Sequence, residues 1–155
     1  MRRLARGLVP IILAATAFLA GRLSSSGVAS AATRPGHGSL IEHDSMVAKN
    51  EPGTHNGGGQ TTGYSFFTSA RDLSFVFRKR ALHPGSGIGH HEQKEDEVYY
   101  VLSGKGELTL DGEKHLIGPG TALLTRTGST HSLKQVGTDD LIIIITYPTA
   151  PRKGP

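Results

Sequence analysis

Between residues 64 and 147 the sequence repeats one pattern: short runs rich in Val, Ile, Phe, Tyr and Thr, separated by glycine-bearing turns. Short β-prone runs with turn signals between them mark a sandwich or barrel of short strands. No long segment in this region has helical periodicity. Residues 73–82 alternate, with Leu73, Phe75 and Phe77 on one face and Val76, Arg78 and Arg80 on the other. Residues 98–102 and 107–110 read as an antiparallel pair turning through Ser103-Gly104-Lys105-Gly106. Asp111-Gly112 is a two-residue hairpin signal feeding residues 114–117. Gly118-Pro119-Gly120 turns the chain again before 121–125, and runs at 130–136 and 141–147 complete the set. The run Leu141-Ile142-Ile143-Ile144-Ile145 is apolar on both faces, which predicts a strand covered on both sides and suits a subunit contact.

The two ends of the chain have a different texture. Arg2, Arg3 and Arg6 precede an apolar run at residues 8–20, and a polar stretch leads to Ala29-Ser30-Ala31. That order is a secretory signal peptide over residues 1–31, so the mature chain is expected to be exported. The apolar run falls short of the roughly 20 residues of a spanning helix, so a signal peptide is preferred to a membrane anchor. No stable membrane association is expected after cleavage. Residues 1–31 hold four arginines and no acid, and their removal takes the formal charge from +4 to balance. The basic character is therefore a targeting feature and does not indicate a nucleic-acid surface. The chain has no cysteine, so its stability must come from the core, a partner subunit or a metal. Residues 32–63 contain the breakers Pro35-Gly36, Pro52-Gly53 and Gly57-Gly58-Gly59 and are expected to be an irregular, Gly-rich arm. The Pro-rich basic tail at 148–155 is expected to be disordered, which leaves 64–147 as the β-barrel domain.

The chemistry sits in Gly85-Ser86-Gly87-Ile88-Gly89-His90-His91-Glu92-Gln93-Lys94-Glu95-Asp96-Glu97. Residues two apart on a strand share a face, so His91 and Gln93 can both face an interior. A short turn through 94–96 lets Glu97 return on the next strand, and Gly128-Ser129-Thr130-His131 brings a histidine just after a turn. Two imidazoles, an amide oxygen and a carboxylate suit one divalent ion such as Zn, Fe, Mn, Co or Ni. Taken singly, each of these residues reads equally well as a surface or hydrogen-bonded side chain; their joint spacing makes them ligand candidates. A second register, with His90 and Glu92 pointing inward, competes with the first. Tyr99 shares the parity of Glu97 and is either a packed wall or a proton donor. Arg78, Arg80 and Arg126 either present charge to an anionic substrate or lie on an outward face. His55 lies in a segment that is either a lid or a disordered tether, and the tether is preferred.

These spacings resemble the cupin superfamily. Its first motif has a Gly, five residues, a His-x-His pair, three or four residues, a Glu, six residues and a Gly. Gly85, His91, Gln93, Glu97 and Gly104 fit that spacing, with Gln93 where a second histidine is usual. Gly120, Gly128 and His131 fit the second motif, with Arg126 where Pro is usual and Gln135 where Asn is usual. The His90/Glu92 register would space Gly85 wrongly. The resemblance covers roughly residues 73–147 and implies a jelly-roll barrel of two antiparallel sheets, with a homodimer as the common assembly. It implies metal ligation by His91, Gln93, Glu97 and His131, and a small-molecule ligand or substrate. The implied function is a metal-dependent enzyme of oxygenase or isomerase type, with Tyr99 and Arg126 as catalytic candidates. The alternative is a non-catalytic small-molecule or carbohydrate-binding module using the same pocket.

Overall fold

A computed structural model describes residues 38–149 of the chain. The expected signal peptide, residues 32–37 of the expected arm and residues 150–155 of the tail lie outside the described residues. The strands are β1 (Ala48–Pro52), β2 (Gln60–Phe66), β3 (Phe75–Leu82), β4 (Gly87–Glu92), β5 (Glu97–Ser103), β6 (Lys105–Leu110), β7 (Glu113–Ile117), β8 (Ala122–Thr125), β9 (Thr130–Val136) and β10 (Leu141–Pro148). A single α-turn, α1 (Asp44–Val47), and a 3-10 turn at Thr54–Asn56 are the helical pieces among the described residues. Six strands form one antiparallel sheet in the order β1-β2-β3-β10-β5-β8, and four form another in the order β4-β9-β6-β7.

Alternation along the strands builds the layer between the sheets. Leu82, Val101, Leu141 and Ile143 of the larger sheet are buried with Ile88, Leu108 and Leu133 of the smaller. Fully burying such a side chain is worth about 1.5–3 kcal/mol, so this layer is the main stabilising term in a chain without disulfides. On β10, Leu141, Ile143 and Ile145 take the inner face while Ile142 and Ile144 are half-buried on the outer one.

Several sequence expectations meet a different arrangement. The two sheets share no strand pairing, so they stack as an open sandwich and do not close into a barrel. Residues 98–102 and 107–110 do not pair with each other: β5 lies between β10 and β8, and β6 lies between β9 and β7. The chain passes from one sheet to the other at Gly104. A Cβ there would meet the Asp140 carbonyl oxygen at 2.2 Å, and φ is +77°, so only glycine suits this crossing. The expected irregular arm also contains β1 and the start of β2, which extend the larger sheet through pairs such as Thr61↔Leu82. Both are polar strands held by main-chain pairing, which hydrophobic periodicity does not register. At the other end, Pro148 pairs with Phe75 and the Thr149 amide donates to the Ser74 carbonyl at 3.0 Å, so the start of the expected tail is strand. The Asp111-Gly112 hairpin forms as expected, with positive φ at both positions joining Leu110 to Glu113.

Candidate functional site

Strands β4 and β9 are neighbours in the smaller sheet, and their register sets His91 directly opposite His131. Directly opposed residues of an antiparallel pair share a face. A bulge between Ile88 and His91 makes this possible. Without it, the parity of buried Ile88 would send His90 and Glu92 inward; the extra residue re-aims His91 instead. His90 is accordingly exposed, whereas Gln93 is buried. The loop after Gln93 is pinned by main-chain bonds, its amide donating to Ser129 and its carbonyl accepting from Gly128. Glu97 then opens β5 opposite Thr125 of β8, with both side chains buried.

Both imidazoles are held through Nδ1. In His91 that atom lies 2.8 Å from the Gly89 carbonyl oxygen, which can only accept, so Nδ1 carries the proton and Nε2 is left as an acceptor. In His131, Nδ1 is 3.0 Å from Thr125 Oγ1, and Nε2 lies 3.3 Å from the Tyr99 hydroxyl. His131 Nε2 also stands 3.8 Å from Glu97 Oε2, a separation that would suit an ion pair. Burial argues against one. It pushes the Glu97 carboxyl up to about 7 and the His131 imidazole down to about 4, so near neutrality the imidazole is uncharged and the carboxyl only partly ionised. Glu97 Oε2 is buried without a hydrogen-bond partner among the described residues. Tyr99 is raised well above the usual phenol range, first by burial and then by Glu97, which keeps it a neutral donor.

Nδ1 anchored to a carbonyl or hydroxyl is the usual second-sphere arrangement of a metal-binding histidine, although His131 Nε2 already has the Tyr99 hydroxyl at 3.3 Å. The orphaned carboxylate oxygen lacks the partner that a cation would supply. In kind, therefore, the donors fit a divalent transition ion. In position they are gathered rather than converged: among the described residues no three His, Asp or Glu side chains stand as a ready metal-holding group.

A cavity of about 270 Å³ opens over this cluster, and both sheets line it. His91, Gln93, Glu97 and Tyr99 reach the lining, while His131 is fully buried. Arg78 and Arg80 also line the cavity, so their face of β3 is the inner one. Arg80 is fixed by Thr61 Oγ1 at 2.7 Å and Glu51 Oε2 at 2.9 Å. The same Glu51 oxygen lies 3.8 Å from Arg78. Arg126 is not brought to the site. Thr125 before it points inward, so Arg126 points out and meets Asp96 at 3.3 Å on the surface.

His55 departs most from its sequence reading. It sits in the ordered 3-10 turn, lines the cavity and stacks on His91 with ring centroids 3.6 Å apart and planes 3° apart. Burial first, then His91 and Arg80, lowers its pKa, which favours a neutral ring in the stack. Glycines seat the turn on β4: a Cβ on Gly89 would meet the His55 carbonyl oxygen at 1.9 Å, and one on Gly57 the Gly87 oxygen at 2.2 Å. The run Gly57-Gly58-Gly59 was the available signal; Gly57 and Gly59 mark close backbone approach here, and Gly58 a positive φ, not a loose tether. Glu51, Thr61 and Thr125 escaped sequence reasoning because nothing in their local pattern separates them from ordinary strand residues.

Residues 79–147 match the family model described as Cupin domain. This chain belongs to the cupin superfamily. The site just described lies within the matched region except for His55, Arg78 and the Glu51–Thr61 anchors. Over 67 residues this cupin is 36% identical to an oxalate-binding protein of Thermotoga maritima, covering 43% of the chain and 55% of that relative. It is 25% identical over 69 residues to a 5-nitrosalicylic acid 1,2-dioxygenase of a Bradyrhizobium species, covering 44% of the chain and 33% of the relative. The chain thus spans between a third and about half the length of these curated relatives. A crystal structure of a predicted oxalate decarboxylase from Thermotoga maritima superposes with a TM-score of 0.65 at 23% identity, covering 72% of this cupin and all of that chain. That likeness supports the fold.

Proposed function

We propose that this chain is an exported cupin that binds one divalent transition metal through His91, Gln93, Glu97 and His131 and holds a small carboxylate-bearing molecule beside it. The observation that carries the reading is the buried, unpartnered Glu97 Oε2 facing His131 Nε2, with the Nδ1 atoms of both histidines already anchored. When bound, such a metal supplies Lewis-acid polarisation of substrate oxygens and, for iron, a site for dioxygen. The chain's own residues supply the rest. Tyr99 is a neutral donor at the inner end of the cavity. Arg78 and Arg80 share a single carboxylate, Glu51, which leaves a local positive charge on the β3 wall, while Glu92, Lys94 and Glu95 also line the cavity. That charge suits an anion. The reaction class we infer is oxygenase or isomerase, and similarity to the nitrosalicylate dioxygenase supports the first. Similarity to the oxalate-binding protein favours a second reading, a binding module that uses the same cavity without chemistry.

Elemental analysis of protein purified without added metal tests the proposal, with His91→Ala, Glu97→Ala and His131→Ala combined as the control. About one ion per chain, lost in the triple variant, is the expected result. Protein that stays empty after exposure to each of Zn, Fe, Mn, Co and Ni would sink the metal reading. Turnover of candidate acids by the loaded protein then separates enzyme from binding module.

A further inference from the structure

A second and larger cavity, of about 710 Å³, adjoins the first: Arg78 and Tyr147 line both. Its remaining walls include an apolar group, Phe67, Leu73, Phe75 and Val76, beside the polar Ser65, Thr68, Ser74 and Thr149. Two features separate it from an accidental groove. Phe67 holds φ of +60°, a conformation that a bulky residue rarely adopts, and its amide donates to Glu42 Oε2 at 2.7 Å. Backbone strain of this kind persists where the surroundings enforce it, and such sites are often functional. Arg78 Nε, in the wall common to both cavities, is buried without a hydrogen-bond partner among the described residues. Asp72 also lines the second cavity and is itself already engaged.

We propose that the two cavities are one binding site, and that its ligand is an amphipathic carboxylic acid whose aryl or alkyl body lies in the second cavity. The carboxylate lies in the first cavity by Arg78, and the apolar body passes Tyr147 to cover Val76, Leu73 and Phe67. A bare dicarboxylate such as oxalate has no group to fill that space. A cavity of this volume, with apolar side chains beside several polar ones, is of a size that holds a small organic ligand. The inference rests on the anion-binding reading above and narrows it to a ligand class.

Calorimetry on the full chain with acetate and 4-phenylbutyrate as probes provides the test. The longer acid is expected to bind at least about tenfold tighter, from the apolar area it buries. Phe67→Gly removes a ring and leaves a residue at ease with positive φ, so the fold is retained. In that variant the ratio of the two affinities should fall to about threefold or less. Leu73→Ser repeats the test at a second lining residue, and Arg78→Gln should weaken both acids. Equal binding of the two acids overturns the proposal and leaves the anion site standing. A preference unchanged in both apolar-wall variants also overturns it. Binding of neither acid overturns this proposal together with the carboxylate reading beneath it. Should 4-phenylbutyrate bind only after removal of residues 150–155, the cavity belongs to that segment and the proposal falls.

Discussion

Glu97 and His131 face each other at 3.8 Å, and burial shifts them in opposite directions. The consequence for stability depends on sign. Glu97 ionises near 4.5 when unfolded and near 7 when folded, so between those values the folded state holds the extra proton and stability falls as pH rises. His131 titrates near 6.5 when unfolded and near 4 when folded, so the unfolded state holds the extra proton and stability rises with pH. The two slopes offset each other over their common window in metal-free protein. Each substitution should expose one of them. Glu97→Gln should gain stability relative to wild type as pH rises from about 4.5 to 7, by about 3 kcal/mol. His131→Gln should lose a similar amount relative to wild type from about 4 to 6.5. Urea midpoints across that range, after chelation, measure both; parallel curves for the variants and wild type would refute the burial argument. Gln135 shows how a residue can be visible in a motif while its role is not. It bonds the Gly85 amide and the carbonyls of Gly137 and Asp139, tying the turn before β4 to the turn between β9 and β10.

At the scale of elements, the bulge in β4 decides which histidine enters the site. Strand alternation alone left two registers open, because a one-residue slip turns every side chain over. Ile88 and His91 both face inward only because the chain takes an extra residue between them. The 3-10 turn braces that bulge through the close approach of His55 to Gly89. Gly89→Ala should therefore push the turn off β4, break the stack on His91 and cost about 1–3 kcal/mol as an overpacking change. Thermal melting gives the cost, and histidine NMR shifts report the lost stack. A variant that melts like wild type with unchanged His55 and His91 signals would show that the brace is dispensable. The missed pairing of β5 has the same kind of origin. Ser103-Gly104-Lys105-Gly106 reads as a hairpin turn, but only the position of Asp140 against Gly104 makes it a crossing between sheets.

For the whole molecule, the outer face of the larger sheet carries Val98, Tyr100, Leu102 and Leu124, each 38–49% exposed, beside half-buried Ile142 and Ile144. Contiguous apolar surface of this kind marks an interaction site, and we expect a second copy of the chain to cover it as a two-fold dimer. Tyr100→Lys with Leu124→Lys should convert a dimer to a monomer in sedimentation velocity while leaving the site on the inner face intact. A wild-type monomer at tens of micromolar would dispose of the idea.

Short β-prone runs, the Asp111-Gly112 turn and the spacing from Gly85 to Gly104 were legible without coordinates. They depend on local rules: side-chain parity, positive φ and the reach of a short loop. Those rules determined an all-β chain of short strands; the two antiparallel sheets, and the choice of His91, Gln93, Glu97 and His131 over the competing register, came from the motif spacing shared with the cupin superfamily. They could not determine which strands pair across the sandwich, that polar β1 and β2 join the sheet, or that Arg126 points away while His55 folds in. Each of these depends on contacts between residues far apart in the chain, such as Arg80 with Glu51 and His55 with Gly89. Such contacts form only when packing brings the strands together, and no local pattern encodes them.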